Sequence, residues 1–187
     1  IYGYLQVTEP IRPKNILDKC IKNLIKNNSI ESSFAGYVMH KNFWINKMNF
    51  NDEDRVIDSI LANTKTIALI GASVKEERPS NSVMRNLLKR GYQVFPVNPG
   101  NAGGEILGQE CFAKLTDIEH EIDMVDVFRH SDAVPEIVEE AIKCQVKTLW
   151  LQLDIGHAVA EAKARKNGIT VISNRCPNIE FRRQESS

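Results

Sequence analysis

The chain has 187 residues, the length of one domain rather than two, and its 24 basic side chains are matched by 24 acidic ones. That balance leaves no basic field for nucleic acid, and no apolar run approaches the ~20 residues of a membrane-spanning helix. The four cysteines (Cys20, Cys111, Cys144, Cys176) form no C-x-x-C pair and no histidine stands at zinc-ligand spacing, so free thiols and a reducing, cytoplasmic setting are expected.

Residues 1–47 differ in composition from the rest. They are crowded with Ile, Lys and Asn, as in Lys19-Cys20-Ile21-Lys22-Asn23. They read as an atypical extension, either an accessory arm or a stretch that is not native coding sequence. The domain proper is expected from Met48 to Ser187. A helix starts there: Asn51 is placed to cap it, Asp52, Glu53 and Asp54 suit its positive end, and Val56, Ile57, Ile60 and Leu61 form an apolar stripe.

From this point strand and helix periods alternate. A strand at Thr66–Ile70 leads through a small-residue turn into a helix from about Ser82 to Arg90, which Gly91 ends in the C′ position. A strand at Tyr92–Val97 is followed by the Gly/Asn/Pro-rich turn Asn98–Gly104. Glu105–His120 has no clear period and reads as a short extended piece with one helical turn. Then come a strand at Asp123–Phe128, a helix over Asp132–Cys144 and a strand at Lys147–Leu153. An Ala-rich helix over Gly156–Asn167 stops at Gly168, and a last strand spans Ile169–Ile172. This alternation implies an α/β fold: a doubly wound, mainly parallel sheet with helices on both faces.

Five loops then share one edge of the sheet, the edge at which open α/β sheets bind ligands. The first is Gly71-Ala72-Ser73, whose small residues allow backbone to approach a phosphate. Lys75, Arg78 and Ser80 follow it, and Arg78 is a candidate phosphate ligand. The second strand ends in Val97-Asn98. The NAD fingerprint needs G-x-G-x-x-G and an acidic residue about 20 positions on; only Gly71 is present, and no Asp or Glu follows Val97. Phe128 offers an aromatic face and Arg129 a fork of donors. His130 has no carboxylate or nucleophile beside it in sequence, and reads as an exposed loop histidine. Asp123 and Asp126 read as structural groups rather than an acid–base pair. Cys176, beside Arg175, is the candidate reactive thiol.

These stretches, in this order, resemble the small bacterial CoA-binding domain proteins. The resemblance rests on Ile70-Gly71-Ala72-Ser73, Glu77-Arg78-Pro79-Ser80, Arg90-Gly91-Tyr92, Val97-Asn98-Pro99-Gly100, Val125-Asp126-Val127-Phe128-Arg129, Leu149-Trp150-Leu151-Gln152-Leu153 and Asn174-Arg175-Cys176-Pro177. It covers about Met48 to Arg183. That family is similar to the N-terminal CoA-binding, Rossmann-like domain of the succinyl-CoA synthetase α chain. The resemblance implies coenzyme A as the ligand, lying across the carboxyl edge of the sheet. Gly71, Ala72, Ser73 and Val74 would then hug its phosphates. Val97 and Asn98 would flank the adenosine, Phe128 and Arg129 would contact the nucleotide or pantetheine portion, and Gln152 and Leu153 would lie near the start of the pantetheine arm. Two positions depart from the pattern: Val74 stands where proline is frequent, and Asp154 where glycine is common.

The expected function is a non-catalytic CoA or acyl-CoA binding protein with no ligase chemistry of its own. An NAD(P)-binding oxidoreductase and a CoA-thiol enzyme using Cys176 are the alternatives. The expected partner is small-molecule CoA or acyl-CoA, without nucleic acid or membrane, and the sequence points to no particular protein partner.

Overall fold

Strand and helix alternate as the periodicity predicts, in a computed structural model that describes residues 32–34, 37–39 and 50–186. The chain divides into two units, Ile1–Asp54 and Arg55–Ser187. In the first, strands β1 (Ser32–Phe34) and β2 (Tyr37–Met39) pair antiparallel. The reading of residues 1–47 as an arm or as non-native sequence otherwise lies outside the described residues.

Helix α1 (Phe50–Asn63) begins before Asn51, which is therefore inside the first turn rather than its cap. Ile57 and Leu61 are buried as the stripe predicts, whereas Val56 is 46% exposed. Strand β3 (Thr66–Ile70) is followed by helix α2 (Pro79–Lys89), three residues earlier than the apolar pattern alone suggests. Proline presets the backbone for a first helical position, so Pro79 starts the helix ahead of its apolar stripe. The helix ends as expected. Gly91 has φ +89°, its N–H donates to Leu88 O, and Tyr92 N–H donates to Leu87 O.

Strand β4 (Gln93–Val97) follows. The poorly patterned segment after it holds a small hairpin, β5 (Glu105–Ile106) with β6 (Gln109–Glu110), and one 3₁₀ turn at Leu115–Asp117. Strand β7 (Met124–Val127), helix α3 (Val134–Lys143), strand β8 (Thr148–Leu151), helix α4 (Ala158–Lys166) and strand β9 (Thr170–Ile172) complete the alternation. A further helix, α5 (Pro177–Glu185), closes the described chain and was not legible in the sequence.

The five central strands are parallel, in the order β4-β3-β7-β8-β9. Side chains alternate between the two faces, as the strand period requires. Ile67 and Leu69 pack with residues of α1, α2 and α5; Ala68 and Ile70 pack with those of α3 and α4. The sheet is therefore covered on both sides. The order of winding reverses between β3 and β7, since β3 leads outward to β4 and β7 outward to β8 and β9, so the switch point of this doubly wound fold lies at their carboxyl ends.

Candidate functional site

Gly71 is the tightest point of the switch. Its φ is +88°, and a Cβ there would lie 2.7 Å from Phe128 O and 3.3 Å from Arg129 Cδ. No side chain fits, and an L-residue would resist the backbone angle. The loops after β3 and β7 thus meet backbone to backbone. Gly71 N also donates to Val97 O (2.9 Å) and Phe128 N to Ile70 O (2.8 Å). Asn98 adds the third strand end: its Nδ2 donates to Ala72 O (2.7 Å) while its Oδ1 accepts from Gly100 N (2.9 Å). Behind Ser73, buried Asn81 donates to its carbonyl (2.9 Å), and Ser73 Oγ accepts from Lys75 N (3.2 Å).

Gly71, Ala72, Ser73, Val97, Asn98, Phe128 and Arg129 are therefore brought together. Arg129 is exposed and lies over Gly71. Val74 and Leu153 are exposed apolar side chains at the same edge, at 56% and 46%. Arg78 is exposed at the start of α2, and its side chain makes no hydrogen bond to the rest of this group. Gln152 is almost fully buried, and its Nε2 donates to Asp126 Oδ1 at 2.7 Å. The Asn98 amide occupies the place where a dinucleotide site carries its ribose-binding acid, and it is already committed to two backbone groups.

A cleft of about 130 Å³ opens beside the switch point, lined by Ile70, Gly71, Val97, Arg129, Lys114 and Ile137 among others. Lys114 and the neighbouring Glu140 were missed from sequence. Lys114 falls in the segment with no period, and Glu140 reads as a solvated helix residue. In the fold Glu140 Oε2 accepts from Leu115 N (3.1 Å) and ties α3 to the 3₁₀ turn.

Cys176 caps the start of α5. Burial pushes its thiol up; N–H groups of Asn178 and Ile179 oppose this in part, and the Asp126 carboxylate adds to it. A thiol held up in this way is a weak nucleophile at neutral pH. Among the described residues no group of three His, Cys, Asp or Glu side chains is placed to hold a metal. No helix among them is long and apolar enough to cross a membrane.

Residues 65–182 match the CoA binding domain family, a stretch that contains all five edge loops. The chain belongs to that family. Within it, the chain is 32% identical over 129 residues to the protein YneT of Bacillus subtilis (strain 168), covering 69% of this chain and 94% of YneT. It is also 29% identical over 123 residues to the ADP-forming acetate–CoA ligase of Methanocaldococcus jannaschii, covering 62% of this chain but only 17% of the ligase. Among solved structures, a hypothetical protein from Pyrococcus horikoshii OT3 superposes with a TM-score of 0.67 at 42% identity, over 70% of this chain and 90% of that one. The CoA-binding resemblance read from the edge motifs holds at the level of the family.

Proposed function

We propose that the protein binds coenzyme A or an acyl-CoA along the carboxyl edge of its sheet and carries out no chemistry on it. The observation that supports this most is the backbone approach at Gly71, at the switch point, in a chain of the CoA binding domain family. CoA carries a pyrophosphate and a further phosphate, so it needs backbone donors and cations. In this reading the turn Gly71–Val74 takes the pyrophosphate, with Arg78 and Arg129 as counter-charges. Val97 and Asn98 flank the adenosine, Phe128 stacks or packs on the ligand, and Gln152 and Leu153 take the start of the pantetheine arm. The 130 Å³ cleft is small beside the ~300–1,000 Å³ of typical ligand pockets. It would therefore take one portion of the ligand, the rest lying along the open edge over Val74 and Leu153.

The acetate–CoA ligase activity belongs to a protein of which this chain matches 17%, and is not carried over. The raised thiol of Cys176 speaks against the thiol-enzyme alternative. The domain is taken to run from Met48 to Ser187 and to work in a reducing, cytoplasmic setting.

The test is calorimetric titration of the full chain with CoA, acetyl-CoA, NAD and NADP. Micromolar binding of CoA or its thioester, about −8 kcal/mol, is the expected result. Arg129→Ala should weaken it roughly tenfold, the loss of one charge-assisted contact. Tighter binding of NAD or NADP, or no CoA binding, would return the site to a nucleotide scaffold of another ligand.

A further inference from the structure

Across the sheet, Pro96, Leu69, Asp126, Trp150 and Ile172 lie in register on one row. Leu69, Trp150 and Ile172 are core residues of the α1/α2/α5 face. Asp126 thus puts a carboxyl at a core position, and its exposure is 0%. Its Oδ1 accepts from Gln152, and its Oδ2 has no hydrogen-bond partner. A buried unpaired carboxylate costs several times what a satisfied polar group does. An apolar residue would pack this row without that cost. The groups facing Asp126 are Gln152, just past β8, and Cys176 from the start of α5. Arg175 is paired with Glu180 (3.0 Å) and Arg182 acts on the Cys176 thiol; among the described residues no cation acts on the Asp126 carboxyl.

Asp126 lies two residues before Phe128, on the strand whose carboxyl end carries the β7 edge loop. An ionised carboxylate only accepts hydrogen bonds. The Gln152 amide turns its Nε2 to Oδ1, which accepts in either protonation state, and the unpartnered Oδ2 is the atom free to take a proton.

We propose that Asp126 is a proton-linked positioning residue: it orients Gln152, and it takes up a proton when a polyanion binds at the carboxyl edge. The inference rests on the CoA reading above. A polyanion placed above a buried carboxylate without a counter-ion favours its neutral form, so binding and protonation assist each other. Burial already pushes this carboxyl up to about 7, opposed in part by the Gln152 hydrogen bond and the Val127 N–H, so the exchange falls at neutral pH.

The experiment is calorimetry of CoA and of dephospho-CoA binding to the full chain between pH 6 and 8.5, in buffers of differing ionisation heat. Dephospho-CoA removes the ligand phosphate that itself titrates in this range. The wild type should take up protons on binding and lose about three- to tenfold in affinity from pH 6 to pH 8.5, the equivalent of up to about one pKa unit. Asp126→Asn should lose both the uptake and the slope. Gln152→Leu removes the bond that holds the carboxyl down and should move the uptake to higher pH, which decides the matter if Asp126→Asn does not fold. Equal uptake and slope in wild type and Asp126→Asn, or an unmoved profile in Gln152→Leu, overturns the inference while leaving CoA binding intact. No heat from CoA with the wild type at any pH overturns the CoA reading itself, and the inference with it.

Discussion

Replacing Gly71 by alanine would put a methyl group 2.7 Å from the Phe128 carbonyl oxygen, at a backbone φ of +88°. Both effects act together, and the change should cost at least about 2 kcal/mol and abolish CoA binding, read by thermal melting and by titration. Asp126 makes a prediction of opposite sign. Its carboxyl is raised from 3.8 to about 7 in the fold, chiefly by burial. A raised carboxyl favours the protonated fold, so its contribution is fully present below about pH 4 and is lost as pH rises through 7. Asp126→Asn should therefore be the more stable protein at pH 8, by up to roughly 4 kcal/mol, with the gain fading toward pH 4 in chemical denaturation. Asp123 works the other way. Burial opposes its ionisation, but Lys147 and the Lys65 and Thr66 donors hold it down at about 2. Its contribution is present above about pH 4 and is lost only as pH falls toward 2, so the two windows do not overlap. Asp154 has φ +60° and is exposed, a backbone conformation that glycine would adopt without strain.

At the scale of elements, α5 is the instructive case. Its buried positions are Pro177, Glu180 and Phe181. A charged residue in the buried stripe hides the apolar period from sequence reading. Only the fold explains it: Glu180 accepts from Arg175 (3.0 Å) and Arg183 (2.9 Å), and Trp150 donates to Arg175 O (2.7 Å). Arg90 stacks 4.0 Å over Phe181, and Arg183 reaches Asp58 of α1. Glu180→Ala should cost about 3–5 kcal/mol, because it leaves two cations facing an emptied buried position. Glu180→Gln, which keeps the volume and one acceptor, should cost less, and the two melting temperatures would rank accordingly. The segment Glu105–His120 was legible only in kind. Its hairpin is two residues on each side and its helical turn is three, too short for a period to show.

For the molecule as a whole, the layers follow from a two-residue alternation on strands and a 3.6-residue one on helices. One core cluster lies under α3 and α4, the other under α1, α2 and α5. The second cluster takes its last members from both ends of residues 50–186, since Ile57 and Leu61 of α1 and Phe181 of α5 belong to it. Deletion from Pro177 onward should uncover Trp150, Tyr92 and the row around Leu69, and abolish a cooperative thermal transition, whereas residues 48–187 should melt as one unit. A cooperative melt of the shortened chain would show that α5 is dispensable for the core.

Composition and periodicity, by themselves, determined the class of fold, the identity of the five parallel strands and the edge that carries the loops, because each of these depends on local spacing of apolar residues. The family motifs, read in order along that edge, determined the ligand class to expect. Which strands neighbour one another was decided only in three dimensions. So were the closeness of Gly71 to Phe128, the use of Glu140 to tie down Leu115, and the burial of Asp126 in an apolar row with one oxygen unsatisfied. These are contacts between residues tens of positions apart, and a linear pattern records no distance between them. The chemistry of a carboxyl is written in the chain; whether that carboxyl meets water, an amide or nothing is set by what the fold packs against it.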